Sequence, residues 1–123
     1  EQVAKAVQHF TAEQFNTPYR DGGWTVQQLI HHLADSHMHS YIRFKWTLTE
    51  DKPTIKAYDE KLWAETNDNQ LDPHLSIALL KGLHAKWGAL IQKLRPQDLQ
   101  KSFIHPQSQR EITLERMLSL YAW

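Results

Sequence analysis

No cysteine occurs among the 123 residues. Its absence excludes disulfides, thiolate nucleophiles and Cys-ligated zinc, and it suits a reducing cytoplasm. No apolar run approaches the ~18 residues of a membrane span, and no secretory leader is read. A cytoplasmic protein without a membrane partner is expected. Charge of one sign is not in excess either: 14 basic residues balance 14 acidic ones, for a formal net charge of zero. No block of like charge exists to track a phosphate backbone, so nucleic acid is not an expected partner. A hydrophobic content of 41% and a charged content of 23% match an ordinary soluble protein. The length suits one domain, residues 1–123, with a single core.

What the chain does have is histidine. Four of its eight histidines, His31, His32, His37 and His39, fall within nine residues. Imidazole is the commonest protein metal ligand and titrates near neutral pH. The run lies inside a helix signal. Thr25-Val26-Gln27-Gln28 is a capping box, and Val26, Leu29, Ile30, Leu33, His37, Tyr41, Phe44 and Leu48 then recur at steps of three and four. The spacing predicts a helix to about Thr49. An earlier helix is expected on Val3, Ala6, Val7 and Phe10, with a second capping box at Thr11 and a turn-rich loop over 16–23 in which Arg20, Asp21 and two glycines shape the entry to the long helix.

Residues 50–70 are less regular, with one helical turn expected around 59–64. Asp72-Pro73 is an N-cap followed by a first-turn proline. Leu75, Leu79, Leu80, Leu83, Trp87, Leu90, Ile91 and Leu94 mark the next helix, which Pro96 closes. Residues 95–112 are polar and irregular, apart from a possible extended piece at 102–104. Thr113 caps a last helix carrying Leu114, Met117, Leu118 and Tyr121. Four helical segments with polar connections imply an all-α bundle. Both ends of the sequence lie in helical pattern without a stop signal, so the domain is expected to be truncated at both ends.

At 100° per residue the four clustered histidines diverge. His37 falls within the apolar stripe, as a core histidine with a hydrogen-bond partner or as a ligand. His31 falls off the stripe and is expected to be exposed. His32 falls on the flank, in line with Ser36, His39 and Arg43. His32 and His39 are two turns, ~10 Å, apart along the helix, too far to share a zinc with ~2.0–2.1 Å bonds. A metal site therefore needs ligands from another helix. No HExxH motif supplies them. His74, His84 and His105 are read as surface or capping residues that remain available as partners.

Longer motifs carry a resemblance. Pro18-Tyr19-Arg20-Asp21-Gly22-Gly23-Trp24-Thr25-Val26, then His31-His32-Leu33-Ala34-Asp35-Ser36-His37, resemble the YfiT group of the DinB-like superfamily. So do Tyr41-Ile42-Arg43-Phe44-Lys45, Leu48-Thr49-Glu50, Pro53, Tyr58-Asp59-Glu60, Trp63, His105-Pro106, Ile112-Thr113-Leu114 and Leu120-Tyr121-Ala122-Trp123. The resemblance implies an up-down-down-up four-helix bundle and a cytoplasmic homodimer. It implies a metal-dependent hydrolase with one divalent ion per subunit, Zn2+ or Ni2+, held by three histidines. The first is the second His of His-His-Leu, His32 here. The other two form a His-x-x-x-His pair beginning at the residue after Trp123, beyond this sequence.

Three neutral imidazoles leave zinc an open position, at which water becomes acidic enough for hydrolysis. The same site suits a thiol, and relatives of the group transfer the low-molecular-weight thiol bacillithiol to small-molecule electrophiles; thiol S-transfer is thus the alternative reaction. A non-catalytic helical dimerisation or binding module is the second alternative. Glu50, Asp51, Tyr58, Asp59, Glu60 and Trp63 lie on a loop that is expected to cover the site, with carboxylates as general base or imidazole partner, or to be merely solvated.

Overall fold

The computed structural model of the chain describes residues 24–120. The expected helix at Val3–Phe10, the capping box at Thr11, the 16–23 loop and Tyr121 lie outside the described residues. Helix α1 spans Val26–Thr49. Its start is a reciprocal capping box: the Gln28 N–H donates to Thr25 Oγ1 at 3.1 Å, and the Thr25 N–H donates to Gln28 Oε1 at 2.9 Å. Helix α2, Glu60–Ala64, begins where Asp59 Oδ1 accepts from the Leu62 N–H, and a 3-10 turn follows at Asn67–Gln70. Helix α3 spans Pro73–Gln92, with Asp72 Oδ1 accepting from the His74 N–H at 2.9 Å.

Residues 95–112 are more ordered than expected. Pro96 ends one helix and opens another, because its fixed φ and missing N–H suit a first turn. The result is the single turn α4, Pro96–Leu99. Strand β1, Ser102–Ile104, then pairs antiparallel with β2, Glu111–Thr113, in the register Ser102↔Thr113, Phe103↔Ile112 and Ile104↔Glu111. Thr113 ends β2 and caps helix α5, Leu114–Ser119, by accepting from the Arg116 N–H.

The described residues fall into two compact units, 24–38 with 59–85, and 39–58 with 86–120. The second has an apolar core of Phe44, Ile55, Trp87, Phe103, Leu114 and Met117. Trp87 meets Phe44 and Tyr41 edge-on, with centroids 5.7 and 5.9 Å away, the arrangement aromatic quadrupoles favour. The period-2 pleat of β1 sends Phe103 into this core. The chain at 53–55 lies beside the same strand: the Ile104 N–H donates to the Pro53 carbonyl at 2.8 Å and the Ile55 N–H to the Ile104 carbonyl at 3.2 Å.

The first unit buries a mixed face. Gln27, Ile30, His31, Ala34 and Asp35 of α1 are buried, as are Ser76, Ile77 and Leu80 of α3. Leu29, Leu75 and Leu79, assigned by periodicity to the buried stripes, are instead 37%, 59% and 42% exposed. The buried arc is turned away from them because backbone polar groups of the 69–76 segment offer partners to α1 side chains. Gln27 Nε2, for one, donates to the Leu71 carbonyl at 2.7 Å. No helix among the described residues is long and apolar enough to cross a membrane.

Candidate metal centre

The four clustered histidines have four different environments. His31 corrects its expected exposure: it is buried, held at Nε2 by the Leu71 carbonyl at 3.0 Å and at Nδ1 by Ser76 Oγ at 2.6 Å. A carbonyl only accepts, so Nε2 carries the proton and donates. In the neutral ring Nδ1 then accepts from the Ser76 hydroxyl. Both nitrogens are committed, and the ring is a structural crosslink between α1 and the start of α3.

His37 is the half-buried histidine with a partner that its stripe position suggested. That partner is His84 on α3, with Nδ1 and Nε2 facing at 2.7 Å. His84 is therefore half-buried and paired, rather than a surface or capping residue. His39 stacks on Tyr58, centroids 3.8 Å apart and rings 7° from parallel. Arg43 lies 5.9 Å from the same Tyr58 ring and donates through Nη2 to the Lys56 carbonyl at 2.8 Å. That cluster fastens the 56–58 segment to α1.

His32 differs from all three. Its ring is half-buried and meets the Trp24 indole edge-on at 4.6 Å and 60°. Among the described residues neither of its nitrogens is seen to have a hydrogen-bond partner, and the residue is only half-buried. An imidazole placed by a helix and an indole, with its nitrogens uncommitted, is chemically what a metal ligand requires. Among the described residues no three His, Cys, Asp or Glu side chains come together as a metal-holding group, so these residues do not by themselves complete a site around His32.

The remaining candidates have structural tasks. His74 is exposed, and its ring lies 2.9 Å from Asp72 Oδ1. The His74 backbone N–H first, and its ring second, hold the Asp72 carboxyl below the usual carboxylate range. His105 Nδ1 accepts from the Gln107 and Ser108 N–H groups and shapes the β1–β2 turn. Of the loop carboxylates, Asp59 caps α2. Glu50 and Asp51 line a polar cavity of about 490 Å3 in the second unit with Lys52, Gln97, Ser102 and Glu111 among others.

The elements described define a mostly helical protein in which His32 is a candidate metal ligand. Comparison with known proteins makes this specific. The DinB superfamily profile matches residues 1–123, and the chain belongs to that superfamily. It is 53% identical over 122 residues to YfiT of Bacillus subtilis, a match covering 98% of this chain and 68% of that protein. It is 48% identical over 122 residues to a Bacillus mycoides protein, covering 99% of this chain and 70% of that one. Both relatives are named as candidate metal-dependent hydrolases. The solved structure of YfiT, described as an unusual four-helix bundle topology, superposes with a TM-score of 0.94, covering 99% of this chain and 70% of that one. The fold is thus the all-α DinB-like four-helix bundle, to which the β1–β2 hairpin is a small addition.

Proposed function

We propose that the protein is a metal-dependent hydrolase in which His32 is one of three histidine ligands to a single Zn2+ or Ni2+ ion, the other two being expected, by resemblance to the family, just after Trp123. The observation that carries the reading is the state of the His32 ring. No hydrogen bond to the His32 ring is seen among the described residues, whereas His31 has both nitrogens bonded, His37 is paired with His84 and His39 is stacked on Tyr58. Kinship with relatives named as metal-dependent hydrolases supports it.

A divalent ion bound there supplies Lewis acidity toward a water or a thiol. This chain's residues position its ligand. Helix α1 fixes the His32 backbone, the Trp24 ring edge limits rotation of the imidazole, and the His31 crosslink anchors the same helical turn. The proposal includes a cytoplasmic homodimer. The exposed Leu71, Leu75 and Leu79, spaced by four, supply apolar surface for self-association.

The test is elemental analysis of full-length protein. His32→Ala is expected to lose stoichiometric zinc or nickel, while His31→Ala retains it. The reverse pattern refutes the assignment. Metal-loaded enzyme assayed on ester and amide substrates, and in parallel on electrophiles with bacillithiol, separates hydrolysis from thiol transfer.

A further inference from the structure

We propose that His37 and His84 form a second transition-metal site of two imidazoles, separate from the ligand set that contains His32. The two residues stand 47 positions apart on α1 and α3, within one compact unit. Their rings are tilted by 42° with centroids 4.9 Å apart, so His37 Nδ1 and His84 Nε2 face each other at 2.7 Å. Zn–N bonds of ~2.0–2.1 Å at a tetrahedral angle put two ligand nitrogens about 3.3 Å apart. The facing nitrogens now point almost straight at each other, so holding an ion takes a few tenths of an ångström of separation from each ring together with a swing of roughly 35° that converges the two lone pairs, a side-chain rotation on two helices.

The proton balance is simple. In the metal-free pair one facing nitrogen carries a proton and donates it to the other. To bind an ion, both facing nitrogens must be bare, so the one ring that carries the shared proton shifts to its other tautomer, and each neutral ring then bears its single N–H on the far nitrogen, His37 Nε2 or His84 Nδ1. The ion takes the place of the shared proton. Among the described residues no third His, Cys, Asp or Glu joins the pair as a metal-holding group, and two protein donors alone would leave the other positions to water. The affinity is then modest, and Cu2+ is favoured over Ni2+ and Zn2+ by the usual order for nitrogen sites. The site is distinct from His32 because five residues at 100° each turn the two side chains about 140° apart around α1.

The experiment is a Cu2+ titration of the full chain carrying His32→Ala together with alanine at the two further histidine ligands expected after Trp123, followed by electron paramagnetic resonance. One equivalent with nitrogen couplings from two imidazoles is expected. Adding His84→Gln or His37→Gln should weaken that equivalent by at least about tenfold and remove the two-imidazole signature. Circular dichroism establishes that each variant is folded, and either one alone suffices for the comparison. As a second readout, Ni2+ should raise the melting temperature of this background protein and have no such effect once His84 is replaced, because an ion that binds only the folded state stabilises it. A two-imidazole signal that survives in the folded variants overturns the proposal. So does a background protein with no such signal, which would make the pair a proton-sharing crosslink only.

Discussion

Replacing His31 by alanine separates a structural histidine from a ligating one. The ring is 6% exposed and joins two partners, the Leu71 carbonyl and Ser76 Oγ. The two partners suffer unequally. The Leu71 carbonyl keeps the Gln27 amide as a donor at 2.7 Å. Ser76, itself buried, loses its imidazole acceptor, and an unsatisfied buried hydroxyl costs about 1–3 kcal/mol. The vacated ring volume adds a cavity term of the same order. A loss of about 3 kcal/mol is expected, a large share of the stability of a small domain. Urea unfolding of wild type, His31→Ala, Ser76→Ala and the double variant measures it, with the midpoint shifting at constant slope. The double-mutant cycle should give a coupling of about 1 kcal/mol, since each single change strands the other partner. A His31→Ala loss below about 1 kcal/mol, or strict additivity in the cycle, refutes the view of His31 as a satisfied crosslink.

Trp87→Ala should cost about 3–5 kcal/mol in the same assay, because the ring is fully buried against Phe44 and Tyr41. Asp98 accepts from the Arg95 guanidinium and the Arg95 backbone N–H, which hold its carboxyl below the usual range. Its contribution to stability is therefore complete above an ordinary aspartate pKa of ~3.9 and disappears as the pH falls through the lower folded value. The melting temperatures of wild type and Asp98→Asn should differ at pH 6 and converge in acid. Sedimentation equilibrium at micromolar concentration should give about twice the 14.5 kDa chain mass, and Leu75→Glu with Leu79→Glu should lower it to the monomer value.

Signals confined to a few neighbouring residues were legible in the sequence. The capping box at Thr25, the Asp72-Pro73 start, the α2 turn and the Thr113 cap all stand where a side chain satisfies a helix-end N–H two or three residues on. What escaped depends on partners far along the chain. Strand β2 is not legible in the sequence because the three residues Glu111-Ile112-Thr113 are too short a run for their alternation to register, and the strand is defined by pairing with β1. His31 was placed on the exposed side because an apolar stripe alone marked the buried one. Yet Gln27, His31 and Asp35 are buried too, two of them by bonds to groups more than 40 positions away. The His37–His84 pair was half legible: the stripe placed His37, and nothing local pointed to His84. His32 reads the same way in sequence and structure as a flank residue, and its uncommitted nitrogens are visible only once its neighbours' bonds are known.

The backbone bridge between 53–55 and Ile104 has a consequence for the order of events in folding. The β1–β2 hairpin closes over a short turn, whereas Thr54 and Ile104 are fifty positions apart. Closing a loop of that length costs about 3.5 kcal/mol of chain entropy beyond the constant part. The hairpin can form from local information, but the bridge becomes favourable only when Ile55 gains the Phe44, Phe103 and Leu114 core at the same time. Local opening does not simply reverse this. Peeling Pro53–Ile55 from the strand frees only the backbone of that short segment, because 56–58 stay fastened to α1 and Phe44 stays packed on Trp87. It costs two hydrogen bonds and one buried isoleucine. The segment, which follows directly on Glu50, Asp51 and Lys52, is therefore expected to open locally without opening the long loop.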